Sequence, residues 1–311
     1  MKTLKPKVLL PTQPDAIKTH LEKQGYAVVQ VLSEAEIAKL KNMFDIWFTS
    51  INPEISTDSW QTMPDNVFGI IKSYGVGQAN FMWKARTNRN VQRVFTDLWG
   101  TSDLITSFDG ACYWPASLAT QTELWPHCDQ HPKWHSDDKI WCIQGSLSLI
   151  DNLNKSDGGF VVWPRTHKKD VFGKWCERLP DKCQTNDFFK VPLERYGITT
   201  KNAMVIRAPA GCLIVWDSRL IHCNVAPQPS KHVLPSDRLV LYICMLPRNR
   251  ASREVLDMRK SLFLENKTTS HNPSNPGINQ DMIKYNRECQ IEVNMQVFKT
   301  PKLTDIIQKL L

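Results

Sequence analysis

The sequence predicts a mainly β protein with a helical buttress, built on a double-stranded β-helix core of the jelly-roll or cupin-like kind. Three observations carry this expectation. From Leu104 onward, eight short runs rich in Val, Ile, Leu and aromatics are punctuated by Gly, Pro, Asn and Asp, as in sandwiches and barrels. Before them, apolar residues recur at helical rather than strand spacing. Within the strand-rich part, Trp125-Pro-His127-Cys-Asp129-Gln130 sets an imidazole and a carboxylate two residues apart, hence on one face of a strand.

Residues 1–14, with Pro6, Pro11 and Pro14, are expected to form a flexible arm. Asp15 can cap a helix to about Lys23 with Ile17 and Leu21 on one face, and Gly25 stops it. Tyr26 to Leu32 reads as a strand. Ser33 and Glu36 make a capping box for a helix from Glu34 to about Ser50. Its stripe of Ile37, Leu40, Phe44, Ile46, Trp47 and Phe48 has the spacing of a core face.

Residues 51–82 mix Trp60, Phe68, Ile70 and Ile71 with Asp, Asn, Pro and Gly, and read as a loop with short strands that covers a site. Lys72 and Tyr74 lie there and are expected to face solvent more than substrate. Asn88 to Trp99 is a further helix, capped at its start, with Val91, Val94, Phe95 and Leu98 on one side. Strands are then expected at 104–109, 111–115, 123–130, 140–150, 159–164, 203–207, 212–222 and 238–247. Leu256 to Glu265 has an apolar side, so the 251–311 tail should pack on the barrel. No Gly/Ser linker or compositional break divides the chain, which predicts one domain over 1–311. Its parts are the arm (1–14), buttress and flap (15–100), core (101–250) and packing segment (251–311).

The formal charge of +8 raises the question of nucleic acid. No basic run of five or more residues appears, so an ordinary basic surface or a small anionic substrate is the expected reading. Nine cysteines, an odd number with no Cys-x-x-Cys pair, point to a reducing, cytoplasmic compartment. Lys7-Val-Leu-Leu-Pro11 is too short for a secretory leader, and no apolar stretch approaches the ~18 residues of a membrane span. Nothing in the sequence indicates an oligomeric state.

His222 ends the first of two apolar runs, Gly211 to Asn224, and Arg238 begins the second, which ends at Pro247. The two are expected to be neighbouring strands. His127, Asp129 and a distant His222 together make a 2-His-1-carboxylate face, which leaves three positions open on a non-haem Fe(II). Arg238 offers a guanidinium fork for the remote carboxylate of a co-substrate. A short motif such as His-x-Asp is a weak signal, and His135-Ser-Asp137 fits it too. The first is preferred because Trp125 precedes it and Gln130 follows, whereas His135 sits in a Lys- and Asp-rich stretch that reads as a loop. Cys128 and Cys223 flank the proposed ligands, and alternation turns both away from the metal.

Several longer stretches resemble the phytanoyl-CoA dioxygenase-like branch of the Fe(II)/2-oxoglutarate oxygenases. They are Leu21-Glu-Lys-Gln-Gly-Tyr-Ala-Val-Val through Leu40, Trp99 to Gly110, Cys142-Ile-Gln-Gly, Gly158-Gly-Phe-Val-Val-Trp-Pro-Arg-Thr-His-Lys168, and Thr268-Thr-Ser-His-Asn-Pro273. One departure stands out: Arg165-Thr166 replaces the usual Gly-Ser, which should bend that turn differently without removing a ligand. The resemblance implies that His127, Asp129 and His222 hold Fe(II) and that Arg238 binds the far carboxylate of 2-oxoglutarate. Asn224 stands where the family often has a Ser or Thr assisting that carboxylate. The interval from His222 to Arg238 is longer than the family's. It further implies oxidation by dioxygen of a small organic substrate, most simply hydroxylation, with release of succinate and CO2.

Gln144 and Trp141 are expected on the strand adjoining the metal motif, where the amide of Gln144 would touch 2-oxoglutarate or substrate, or make a structural hydrogen bond. Arg219 has the opposite parity to His222 and should make an outward salt bridge with Asp217. His167 should order a turn. Other readings remain open: a non-catalytic jelly-roll binding protein, an oxygenase acting on nucleic acid, and a zinc hydrolase. The substrate itself is not legible, since the stretches that would select it, around 51–85 and 168–200, carry the least pattern.

Overall fold

Alternation along the strands sorts the side chains of this chain into an inner and an outer set, and that sorting positions the site. The computed structural model describes residues 2–51, 69–132, 140–178, 188–278 and 301–311. The chain opens with β1 (Lys2–Leu4), α1 (Pro14–Gln24), β2 (Tyr26–Gln30) and α2 (Glu34–Ile51). After it come β3 (Ile70–Ile71), α3 (Asn80–Arg86), α4 (Arg89–Trp99), β4 (Leu104–Thr106) and β5 (Ala111–Trp114). The middle holds β6 (His127–Cys128), β7 (Ile143–Ser148), β8 (Gly159–Val162), α5 (Lys169–Arg178), β9 (Phe189–Lys190) and β10 (Met204–Ile206). The last elements are β11 (Cys212–Asp217), β12 (His222–Val225), β13 (Arg238–Pro247), α6 (Arg253–Leu264) and α7 (Asp305–Leu310).

The strands form two sheets. One has the order β1-β10-β8-β12-β6-β9; the other has the order β2-β11-β7-β13-β5-β3, with β4 paired to β13. All pairings are antiparallel except β1 with β10. Tyr26, Val28, Ile214 and Trp216 from the second sheet and Phe160, Val162 and Ile206 from the first share one buried cluster. The sheets therefore face each other as a double-sheet jelly roll, without closing into a barrel.

The outward face of the second sheet is covered by helices. Ala27, Val29, Leu147, Leu213, Val215, Leu239, Leu241 and Ile243 pack there with Leu21, Leu40, Phe44, Val91, Val94 and Phe95. Complete burial of a side chain such as Phe44 contributes roughly 1.5–3 kcal/mol, so this buttress is a principal source of stability. Ile46 is the exception in the expected stripe, being 61% exposed. The other sheet is backed by Phe172 and Trp175 of α5, over Val161, Cys223 and Val225.

The expected caps of α2 and α4 are present, but Asp15 does not cap α1, which begins at Pro14 without a side-chain cap and holds Asp15 inside its first turn. Glu36 accepts from the Ser33 N–H at 2.9 Å and from the Asn88 side chain at 2.7 Å, while Asn88 caps α4 through the N–H groups of Asn90 and Val91. Gly25 ends α1 at φ 88°, where its N–H reaches Leu21 O. A side chain at that position would meet the ring of His167.

Four expectations are corrected. Residues 2–14 are not a loose arm, because β1 pairs with β10, and Leu9 is buried and bridges to Val29. The run 212–222 is not one strand. It breaks at Ser218-Arg219-Leu220, and His222 begins a strand of the opposite sheet. The runs around His222 and Arg238 are thus not neighbours, since β7 separates β11 from β13 and β12 lies across the sandwich. The described part of 51–82 is more helical than expected, with α3 beginning at Asn80. Trp60 and Phe68 lie outside the described residues, as do His135 and Asp137. Among the described residues no helix is long and apolar enough to cross a membrane.

Candidate metal centre

The inner face between the sheets carries a polar cavity, and His127, Asp129, Gln144, His222 and Asn224 of the residues singled out from the sequence line it. His222 and Asn224 of β12 point inward while Cys223 and Val225 join the outer cluster. The same parity turns Cys128 out and His127 and Asp129 in. His222 is the direct cross-strand partner of His127, so antiparallel register brings the two imidazoles together. Ligand atoms of His127, Asp129 and His222 all lie within 4.8 Å of one another.

The geometry within the triad is specific. His127 Nε2 is 3.6 Å from Asp129 Oδ1, and His222 Nε2 is 3.1 Å from Asp129 Oδ2. The other ring nitrogens are occupied by backbone carbonyls: His127 Nδ1 by Trp125 O at 3.1 Å, and His222 Nδ1 by Leu220 O at 2.9 Å. Such bonds fix the tautomer with the proton on Nδ1 and leave the Nε2 lone pairs for a cation. Burial, reinforced by His222, lowers His127 to about 3, so its ring is neutral at physiological pH. Burial pushes Asp129 the other way, but the imidazoles of His127, His271 and His222 outweigh it and hold the carboxyl well below its usual range. Two imidazoles, each with its Nε2 turned inward, beside one carboxylate form the donor set that borderline divalent metals such as Fe(II) accept.

Gln144 is on β7, in the opposite sheet rather than next to the metal motif, and reaches across to donate from Nε2 to Asp129 Oδ2 at 2.9 Å. It therefore orients the carboxylate. Trp141 precedes that strand, and its N–H meets Gln130 Oε1 at 3.1 Å. Gln130 also accepts from Ser218 Oγ at 2.7 Å, and Ser218 O accepts the Asp129 N–H at 2.9 Å. This network ties the metal strand to the turn that delivers His222.

Arg238 lies behind the cavity wall rather than on it. Its Nη2 donates to Asn224 Oδ1 at 2.9 Å and its Nη1 to Cys112 Sγ at 2.7 Å. The Asn224 amide in turn donates to the Tyr242 hydroxyl at 3.0 Å. Asn224 and Tyr242 line the cavity of about 350 Å³ that holds the triad. Arg238 lines a separate space of about 20 Å³ with Ser146 and Ser148, and Phe160 borders both. Tyr242 shares the inward parity of Arg238, and strand alternation in 238–247 could have pointed to it.

Three flanking expectations can be placed. Arg219 forms the pair with Asp217, Nη2 to Oδ2 2.7 Å, but both residues are buried rather than turned outward. His167 orders a turn: its Nε2 meets Glu22 O at 3.0 Å, and Thr166 bridges Trp163 O and the Ile221 N–H. Arg165 adopts φ 73°, the left-handed conformation that favours glycine.

No family model matches the sequence. The chain is 28% identical over 261 residues to “Ava biosynthesis cluster protein O” of Aspergillus versicolor, covering 78% of each chain. It is 24% identical over 248 residues to “Putative phytanoyl-CoA dioxygenase” of Dictyostelium discoideum, covering 66% of this chain and 69% of that one. Among solved structures it is similar to a non-heme monooxygenase, ThoJ in its apo form, with a TM-score of 0.51 and 13% identity, over 74% of this chain and 77% of that one. The sequence likeness includes a protein named for the family that the motifs resemble, and the double-sheet fold is shared with a non-heme oxygenase.

Proposed function

We propose that the chain is a non-haem Fe(II)- and 2-oxoglutarate-dependent oxygenase whose whole length serves one catalytic domain, and that it hydroxylates a small organic substrate. The observation that carries this reading is the inward-facing set of His127, Asp129 and His222, with both Nδ1 atoms tied to carbonyls and the carboxylate held by Gln144. Among the described residues no thiolate joins them, since Cys128 and Cys223 are packed in the outer cluster, which disfavours a structural zinc site.

When bound, iron with 2-oxoglutarate and dioxygen supplies the oxidising power, and succinate and CO2 leave. The chain supplies placement. His127 and His222 present their Nε2 atoms from adjacent strands, and Asp129 contributes the negative charge. Arg238, Asn224 and Tyr242 form a hydrogen-bonded set on the inner face that suits the far carboxylate of 2-oxoglutarate, with Arg238 supplying the charge. Phe160 and Trp216, packed 4.6 Å apart beside His222, exclude water from that side. A cavity of about 350 Å³ is of a size for a small molecule.

The test is succinate release from 2-oxoglutarate by purified, iron-loaded protein. Release should require iron, disappear in His127→Ala and His222→Ala, and survive in His135→Ala. Equal loss in His135→Ala would move the metal motif to the rival pair, and iron-independent behaviour of all three would end the oxygenase reading.

A further inference from the structure

The wall facing the triad is assembled from two distant parts of the chain. Ile70, Lys72 and Asp109 come from β3 and the β4–β5 turn, and Thr269, Ser270 and His271 from the strap that follows α6. The strap is held firmly. Thr269 N–H donates to Phe108 O at 2.9 Å, Thr268 Oγ1 accepts from Gly77 N–H at 3.0 Å, and Gln78 Nε2 donates to Lys267 O at 2.8 Å. Gly77 is needed for this contact, because a Cβ there would lie 2.1 Å from Phe108 O and 3.0 Å from Thr268 Cα.

Two polar atoms on this wall are left over. His271 Nε2 is buried and has no hydrogen-bond partner among the described residues. Asp109 accepts the Gly110 N–H through Oδ1 at 2.7 Å, and its Oδ2 takes no hydrogen bond among the described residues. The two side chains sense each other: burial raises the Asp109 carboxyl, and the His271 imidazole is the largest of the charges opposing it. A buried imidazole nitrogen with no partner destabilises the protein alone, so a ligand group that completes it is the economical explanation. Elsewhere the cavity is lined with aromatics. Trp125 stacks on His127 at 4.3 Å, and Phe188, 47% exposed, lies 4.8 Å from the same imidazole.

We propose that His271 and Asp109 are the substrate-recognition pair of this cavity, and that they take a hydroxyl group carried by a flat aromatic substrate. The hydroxyl accepts from His271 Nε2–H and donates to Asp109 Oδ2, while the ring lies against Trp125 and Phe188. A hydroxyl matches one donor beside one acceptor; a primary amine would present mostly donors. This inference rests on the oxygenase reading for its biological meaning, but neither residue belongs to the ligand triad, so the two are separable.

The experiment uses the full chain, once metal-free and once loaded with Fe(II) and 2-oxoglutarate under anaerobic conditions. Binding of 4-ethylphenol, ethylbenzene and 4-ethylaniline is followed by tryptophan fluorescence, with Trp125 and Trp216 as local reporters. The unmodified chain should bind 4-ethylphenol at least tenfold more tightly than ethylbenzene or 4-ethylaniline. His271→Ala and Asp109→Asn should each abolish that preference while leaving ethylbenzene unchanged, and His271→Gln, which keeps a donor, should restore part of it. Equal binding of 4-ethylphenol and ethylbenzene, tighter binding of 4-ethylaniline, or a preference that survives His271→Ala would overturn the proposal. Loss of iron-dependent succinate release with the preference intact would instead sink the oxygenase reading alone.

Discussion

His222 stands directly opposite His127 across the antiparallel β6–β12 ladder, with ring centroids 4.2 Å apart. Register therefore closes a gap of almost a hundred residues. Because side chains alternate with period two, a slip of one residue would turn both imidazoles outward and bring Cys128 and Cys223 in. The hydrogen bonds around Ser218 and Gln130 oppose such a slip, and they join the two sheets next to the ligands.

Gln144→Leu should weaken metal binding by roughly 10–100-fold, the usual consequence of removing a partner that orients a ligand. Only the Gln144 amide crosses from the second sheet to Asp129 Oδ2 in the hydrogen bonds described above. Isothermal titration with Fe(II) or Ni(II) measures the effect. Unchanged affinity would mean that Asp129 is held by other means.

Arg238→Lys should raise the KM for 2-oxoglutarate by roughly tenfold or more, the equivalent of one charged hydrogen bond. An ammonium cannot reach Asn224 and Cys112 together in the forked geometry that Arg238 uses. Metal affinity should not change. A substitution that lowers metal binding but spares the KM would assign Arg238 to the scaffold instead.

Arg165→Gly should stabilise the protein by about 0.5–1 kcal/mol. Arginine holds φ 73° there at a cost that glycine lacks, partly offset by the greater freedom glycine gives the unfolded chain. Thermal unfolding should show a slightly higher Tm. A lower one would show that the exposed arginine makes a compensating contact.

Glu36→Ala should cost about 0.5–1 kcal/mol through loss of the cap on α2 and of the bond to Asn88. Chiefly the Ser33 N–H holds the Glu36 carboxyl below its ordinary 4.5. A depressed folded-state pKa gives stability that is present above the unfolded value and lost as pH falls through the folded one. Denaturant midpoints of the two proteins should converge as pH drops below 4.5, and a constant difference would exclude the charged cap.

Much of this was legible because it is written in local periodicity. Helices α1, α2 and α4, the caps of α2 and α4, and the inward parity of His127, Asp129, His222 and Asn224 follow from spacing alone. What was not legible depends on which strands meet. The break at Ser218-Arg219-Leu220 falls in a run whose apolar character continues on both sides, so nothing local announces that the chain changes sheets there. Gln144 likewise reaches the site from the opposite sheet and not from the strand next to the metal motif. The same reason hid His271: it comes from a short polar strap, and only the packing of Thr269 on Phe108 places it opposite the ligands.

The pairing of Lys2–Leu4 with Met204–Ile206 also covers what would otherwise be a bare sheet edge. With those three residues in place, β10 is an interior strand; without them it offers a bare row of amides and carbonyls, the template on which chains join edge to edge. Trimming the first few residues would thus be felt less in the chemistry of the distant cavity than in solubility, as a tendency to form intermolecular sheets.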